Sequence, residues 1–377
     1  MKSKRVGVIG GGQLAWMMAA EARKLGIELI VQTPNQNDPA VRRAHDVIFA
    51  DVDDAEGTAK LAQHSDVVTF ENEFVDLKAL HKVEKMAGEA HFYPALSSLV
   101  PLLDKYDQRS YLKHIGIPVP QFDLHPQSEY IASHYCFPIV LKARRHGYDG
   151  QGTFVIKDLE GLKKVAKTVP IQELLVEEFI PFKKELGIIA ARSMSGEMAI
   201  YPVTETYQKN QVCHWTITPA DVTSEVATEV KAIARKILDK LDVVGVFGIE
   251  FFLTKDNRVL VNEIAPRTHN SGHYTLDGCE TSQFAMQLQA VTGMTLGSTS
   301  LKSAGVMMVN LLGFEESDSD YQQRRDCILQ IPHSFVHWYG KISRPGRKLG
   351  HATVLLDAKQ LPQAKSIIQK IESIWYQ

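Results

Sequence analysis

No apolar run in this 377-residue chain is long enough to span a bilayer. The apolar run near the start, Val6 to Ile9, leads straight into glycines and is too short for a secretory leader. Neither a membrane protein nor a secreted one is expected. Cysteine is scarce: Cys136, Cys213, Cys279 and Cys327 lie far apart and form no CxxC pair. They read as reduced, mostly structural thiols of a cytoplasmic protein, not as a disulfide frame or a zinc ribbon. Net charge is nearly absent at −2, so nothing asks for nucleic acid or an anionic membrane as partner, and any basic site must be local. Repeats and low-complexity tracts are also missing. What remains is ordinary globular composition, 44% hydrophobic and 23% charged, at a length that suggests two or three domains.

From residue 5 to about 95, strand and helix signals alternate. Arg5 to Ile9 is predicted as a strand, Gln13 to Leu25 as a helix closed by Gly26, and Ile27 to Val31 as a second strand. Asp46 to Ala50 and Asp66 to Phe70 follow, with a helix over Asp54 to His64 between them. Such alternation argues for a parallel sheet with helices on its faces. The first loop, Gly10-Gly11-Gly12-Gln13-Leu14-Ala15, matches a dinucleotide fingerprint. The second strand, however, ends in Val31-Gln32-Thr33 without the acid that binds the ribose, so NAD is not expected and a mononucleotide phosphate fits better.

The central part carries the chemistry. Phe137 to Ala143 is predicted as a strand bearing Lys142, followed by Arg144-Arg-His-Gly147-Tyr148-Asp149-Gly150-Gln151-Gly152-Thr153, a flexible loop able to fold over phosphates. Leu174 to Ile180 reads as a strand ending in acids, Glu185 to Arg192 and Met198 to Val203 as an antiparallel pair, and about Ser224 to Lys240 as a long helix. Gly245 to Leu253 holds Glu250 among apolar neighbours, where an acid is costly unless paired or bound to a cation. Asp256-Asn257 looks like a turn into the strand Arg258 to Val261, which would bring Glu250 near Glu263. Two carboxylates with Asn262 beside them suit magnesium. The polar run from Asn262 to His273 then reads as a loop at the rim of the sheet, where ligands usually bind. In the tail, from about 299, Lys341, Arg344, Arg347 and Lys348 surround Pro345-Gly346 in a compact basic turn, a candidate anion site.

The run Asn262-Glu-Ile-Ala-Pro-Arg-Thr-His-Asn-Ser-Gly-His273 resembles the signature of the N5-carboxyaminoimidazole ribonucleotide synthetases, ATP-grasp carboxylases of purine biosynthesis. The resemblance covers nearly the whole chain. It implies an α/β and α+β protein: an ATP-grasp fold with an N-terminal Rossmann-like parallel-sheet domain and a small C-terminal domain. The expected boundaries are 1–99, 100–298 with a lid subdomain at about 119–185, and 299–377. By the same resemblance, Lys105 and Lys142 meet the ATP phosphates, and Gly147, Tyr148, Asp149, Gly150, Gln151, Gly152 and Thr153 cover them. Glu177, Glu178, Phe179 and Ile180 form the adenine hinge, Glu185 holds the ribose, Gln208 and Asn262 lie near the nucleotide, and Glu250 and Glu263 bind magnesium, two ions being expected. Gly12, Gln13, Leu14 and Glu73 face the ribonucleotide, whose phosphate goes to Lys341, Arg344, Arg347 and Lys348. Asp149, Arg267, Asn270 and His273 are the catalytic candidates.

The implied partners are aminoimidazole ribonucleotide, bicarbonate and ATP, joined through carboxyphosphate, with neither biotin nor NAD and in a homodimer. Three departures stand out: Gln151 where a cation is usual, Gln208 where a histidine is common, and Ala15-Trp16 where Gly-Arg often follows the glycine loop. The rivals are another ATP-grasp ligase such as the formate-dependent glycinamide ribonucleotide transformylase, a nicotinamide oxidoreductase, and a nucleotide-binding module without turnover.

Overall fold

The computed structural model describes residues 3–73, 75–86, 91–124, 130–131, 134–145 and 152–377. Three sheets form among them. The first is parallel, built from β1 (Lys4–Ile9), β2 (Ile27–Thr33), β3 (Asp46–Phe49), β4 (Val67–Phe70) and β5 (His91–Phe92) in the order β3-β2-β1-β4-β5. Helix α1 (Gln13–Leu25) follows β1, as the alternation predicts, and ends on Gly26 in the left-handed conformation at φ 68°. Glycine adopts that conformation without a Cβ clash, and its N–H closes on the Ala22 and Arg23 carbonyls.

The second sheet joins β6 (Phe122–Asp123), β7 (Ile139–Ala143), β8 (Thr153–Ile156) and β9 (Leu174–Glu178) in the order β6-β9-β7-β8. The third contains β10 (Phe182–Arg192), β11 (Met198–Ile200), β12 (Thr204–Lys209), β13 (Val212–Thr218), β14 (Gly245–Thr254) and β15 (Val259–Ala265). It continues without a break into the tail strands β16 (Gly305–Leu312), β17 (Ser334–Trp338) and β18 (Lys348–Leu356), because β16 pairs antiparallel with β13 from Trp215↔Val309 to Thr218↔Val306. The tail therefore shares a sheet with the central part while keeping its own apolar cluster around Trp375, Ile371 and Leu349.

The helix Ser224–Leu241 shows how the central core is made. Thr223 caps it by accepting from the Val226 N–H, and Val226, Val230, Ile233, Ile237 and Leu241 fall on one buried face. That face packs on Leu186, Ile188, Phe247, Ile249 and Ile264 of β10, β14 and β15. Each fully buried aliphatic side chain there contributes roughly 1.5–3 kcal/mol. The packing holds the three strands whose opposite side carries the acids. Among the described residues no helix is long and apolar enough to cross a membrane.

Candidate active site

Strands β14 and β15 form the predicted hairpin about Asp256-Asn257, and the pairing places Glu250 directly opposite Glu263. β15 runs further than its apolar stretch suggests, through Ala265, so Asn262 and Glu263 belong to the strand and not to a loop. The register jumps there: Glu250 faces Glu263 while Phe251 faces Val261. Asn262 is the extra residue of a β-bulge, a device that re-aims side chains beside functional sites. Its side-chain oxygen accepts from Lys142 Nζ at 3.0 Å, and its carbonyl accepts from Arg109 Nη2 at 2.5 Å.

Arg109 was not singled out in the sequence, yet it organises the site. It is buried, and its Nε lies 2.6 Å from Glu177 Oε1, while Lys142 Nζ lies 2.8 Å from Glu177 Oε2. Burial alone would raise the Glu177 pKa; the two cations outweigh it and bring it down to about 2. One turn before Arg109, Lys105 pairs with Glu263 at 2.7 Å. The i, i+4 spacing of Lys105 and Arg109 on the helix Lys105–His114 was the available signal.

The acids themselves are unevenly compensated. Burial raises Glu263, but Lys105, Lys142 and Arg109 hold it below the usual range. Glu250 is pushed up to about 7 by burial and by Glu263, against Lys105, Lys348 and Lys142. Glu185, one strand over on β10, is pushed up to about 8 by burial and by Glu250. Neighbouring carboxyls held back from ionising are what a cation would relieve, so the donor set fits magnesium. Among the described residues no group of three or more His, Cys, Asp and Glu is placed to hold a metal, so phosphate oxygens would have to complete the coordination of Glu250 and Glu263.

The remaining nucleotide candidates surround this centre. Gln208 Nε2 reaches Glu250 Oε1 at 3.5 Å. Glu178 Oε1 accepts from the Gln121 N–H at 2.8 Å, Ile180 is buried, and Phe179 is exposed. Gly152 and Thr153 lie against β7: Ala143 N–H donates to the Gly152 carbonyl at 2.6 Å, and Thr153 pairs with Lys142. Gly147, Tyr148, Asp149, Gly150 and Gln151 lie outside the described residues.

Two of the loop candidates are turned away from the acids. His273 is fully buried against Phe284 and His351, its Nδ1 3.2 Å from Gln283 Nε2, and burial drives its pKa well below the ordinary value. Asn270 is buried in a reciprocal amide pair with Asn310 of β16, at 3.1 and 2.7 Å. Neither side chain faces the acid pair. His269 does: its Nε2 lies 3.7 Å from Glu250 Oε1. The sequence contained both histidines, and only the fold tells them apart. Arg267 pairs with Glu73 at 2.5 and 3.2 Å, which ties the loop to the N-terminal sheet.

The glycine loop needs a correction as well. Its N–H groups do not stand open for a phosphate: Glu71 fills them, accepting from Gly12 at 2.6 Å and Leu14 at 2.9 Å. A Cβ on Gly10 or Gly12 would come within 2.6 Å of the Glu71 carboxylate, so the glycines serve this internal acid. Burial raises Glu71, with the Gly12, Leu14 and Ala15 N–H groups and Lys341 working against that rise. Gln13 contributes its side chain, accepting from Lys341 Nζ at 2.7 Å. In the basic turn Arg344 is exposed, and Arg347 is lowered by burial and by Arg344, with Asp38 opposing. Lys348 points its field toward Glu250 and His273.

Three family models cover the chain: a ribonucleotide synthetase preATP-grasp domain over 3–100, an ATP-grasp domain over 110–284, and a phosphoribosylaminoimidazole carboxylase C-terminal domain over 306–365. The N5-carboxyaminoimidazole ribonucleotide synthase of Synechocystis sp. is 51% identical, over 100% of this chain and 99% of its own. That of Synechococcus elongatus is 49% identical, over 99% and 95%. The chain belongs to the N5-carboxyaminoimidazole ribonucleotide synthase family. Among solved members of the family, the Aspergillus clavatus enzyme in complex with ADP and 5-aminoimidazole ribonucleotide superposes at a TM-score of 0.89, with 30% identity over 99% of this chain and 98% of that one. The fold is accordingly an ATP-grasp domain between an N-terminal parallel-sheet domain and the family's C-terminal domain.

Proposed function

We infer that the protein is an ATP-dependent ligase that carboxylates 5-aminoimidazole ribonucleotide to N5-carboxyaminoimidazole ribonucleotide in purine biosynthesis. The relatives that share its full length carry this activity in their names. The observation that carries the chemistry is the pairing of Glu250 with Glu263 beside Lys105, Lys142 and Arg109. A bicarbonate oxygen attacks the γ-phosphorus of ATP, ADP leaves, and carboxyphosphate forms. It separates into phosphate and CO₂, the exocyclic amine bonds to the CO₂ carbon, and the amine loses a proton.

Lys105 and Lys142 are suited to offsetting charge on the transferring phosphoryl group. Bound magnesium would supply further neutralisation of the phosphates, held by Glu250 and Glu263. Arg267 would meet the carboxyphosphate oxygens by exchanging its partner Glu73, with His269 in place of His273 in that task. Asp149 is the candidate for orienting or deprotonating the amine. Lys341, Arg344, Arg347 and Lys348 offer the ribonucleotide phosphate its cations, while Gly12, Gln13 and Leu14 act through Glu71 and Lys341 rather than by direct phosphate contact. A cytoplasmic location accords with four cysteines that form no disulfide, and a homodimer is the expected assembly. Sedimentation would test the dimer.

The deciding assay follows ADP release and labelled bicarbonate incorporation with and without aminoimidazole ribonucleotide. ATP cleavage should depend on the ribonucleotide, and product should require bicarbonate. Product that instead requires formate would replace this reading with a transformylase.

A further inference from the structure

We propose that Ser271 fixes the tautomer of His269, so that the ring presents a proton on Nε2 toward Glu250. The proposal deepens the carboxylase reading and rests on it for the identity of the anion that this proton meets.

His269 Nδ1 lies 2.9 Å from Ser271 Oγ, and the Ser271 peptide N–H donates to the same nitrogen at 3.4 Å. A hydroxyl suits either tautomer because it can donate or accept. A peptide N–H only donates, and it breaks the tie: Nδ1 offers its lone pair, and the ring proton sits on Nε2. Ser271 is buried, whereas the His269 side chain keeps 19% of its surface exposed, so the serine acts from behind and the imidazole faces the site.

The backbone is held with equal care. Gln283, fully buried at the start of its helix, accepts from the His269 N–H at 2.9 Å and donates to the His269 carbonyl at 2.7 Å. One side-chain amide thus grips both polar groups of that residue. Two glycines on neighbouring strands make room. A Cβ on Gly248 of β14 would lie 2.3 Å from His269 Cβ, and one on Gly187 of β10 would lie 3.1 Å from Ser271 Oγ. The histidine-serine pair therefore fills a space that β10 and β14 leave open for it.

The chemical consequence is specific. A neutral imidazole with its proton on Nε2 donates a hydrogen bond to an anionic oxygen, and it cannot take up a proton at that nitrogen. His269 then stabilises an oxyanion next to Glu250, and the proton released by the amine goes to another group. Ser271 and Gln283 are positioning residues.

The test is spectroscopic first. Long-range ¹⁵N spectra of histidine-labelled, ligand-free protein, recorded above the titration range of the ring and assigned by the signal lost in His269→Gln, should show a pyrrole-type Nε2 and a pyridine-type Nδ1. The reverse pattern in the unmodified protein overturns the proposal, whatever reaction the enzyme catalyses. Ser271→Ala keeps the peptide N–H and should keep this pattern, while loss of the hydroxyl that holds the ring should lower kcat for carboxylated product about tenfold, roughly the worth of one hydrogen bond, with KM for ATP unchanged. Ser271→Thr, which keeps the hydroxyl, should restore kcat. A reversed pattern in Ser271→Ala would show that the hydroxyl and not the peptide N–H sets the tautomer, and would also overturn the proposal. Failure of the unmodified enzyme to make carboxylated product would remove the carboxylase reading and leave the tautomer result standing.

Discussion

Two places in this molecule are built to hold negative charge, and they treat it in opposite ways. At the start of α1 the helix N-terminus is filled from within: Glu71 takes the Gly12 and Leu14 N–H groups, which with Lys341 offset part of the rise that burial imposes on it. At the β14–β15 hairpin the balance is left open. Lys105, Lys142 and Arg109 compensate Glu263 and Glu177, yet Glu250 and Glu185 stay pushed up to about 7 and about 8. The first arrangement is a brace and the second a receptor. A glycine-rich turn before a helix is the more conspicuous sequence signal, but the unspent charge lies at the hairpin.

If the hairpin is the receptor, Glu263→Gln should give the largest effect. Turnover should fall roughly a hundredfold to a thousandfold, as for other losses of preorganised charge, with an unchanged circular dichroism spectrum. Near-normal ATP turnover at saturating magnesium would erase the contrast between the two sites.

The cation set beneath the hairpin is tested next by Glu177→Gln. A carboxyl lowered from 4.5 to about 2 stabilises the fold above the unfolded pKa, and that stability is lost as pH falls toward 2. Urea unfolding at pH 7 should show a deficit on the order of 3 kcal/mol, shrinking between pH 4.5 and pH 2. A deficit independent of pH would mean that the cost is packing and not charge.

Lys341→Ala and Arg347→Ala address where the ribonucleotide phosphate goes, given that the glycine loop is occupied. A charge-assisted contact is worth about 1.5–3 kcal/mol, so KM for the ribonucleotide should rise roughly tenfold or more. KM for ATP should stay near its original value. A fall in ATP affinity instead would show that the two phosphate sites have been divided wrongly.

The brace should give the smallest change. Glu71→Ala removes the cap from α1 and should cost about 0.5–2 kcal/mol, as helix caps do, read as a lower urea midpoint at constant slope. NAD should bind neither form, because Gln32-Thr33 lacks the ribose acid. Micromolar NAD binding by calorimetry would turn the brace back into a receptor.

Much of this architecture was legible from the chain alone. The helix Ser224–Leu241 and the pair β10–β11 fall where periodicity and turn residues put them. The Asp256-Asn257 turn brought Glu250 and Glu263 together because a short hairpin leaves little freedom of register, and Asn257 takes the left-handed φ of 62° that such a turn uses. The bulge at Asn262 was not legible, since one unpaired residue changes no local pattern. Nor was the Arg109–Glu177 pair, whose members are 68 residues apart and meet only when the helix Lys105–His114 comes against β9.

By itself the sequence determined the order of the elements, the acids of the hairpin, the basic turn and the family. These depend on local periodicity, turn chemistry and long irregular motifs. Tertiary structure alone decided that Glu71 closes the glycine loop, that His269 and not His273 faces Glu250, and that the tail strands extend the central sheet through β13 and β16. Each of those is a choice among chemically equivalent partners, and only the packing of distant segments determines which partner comes within reach.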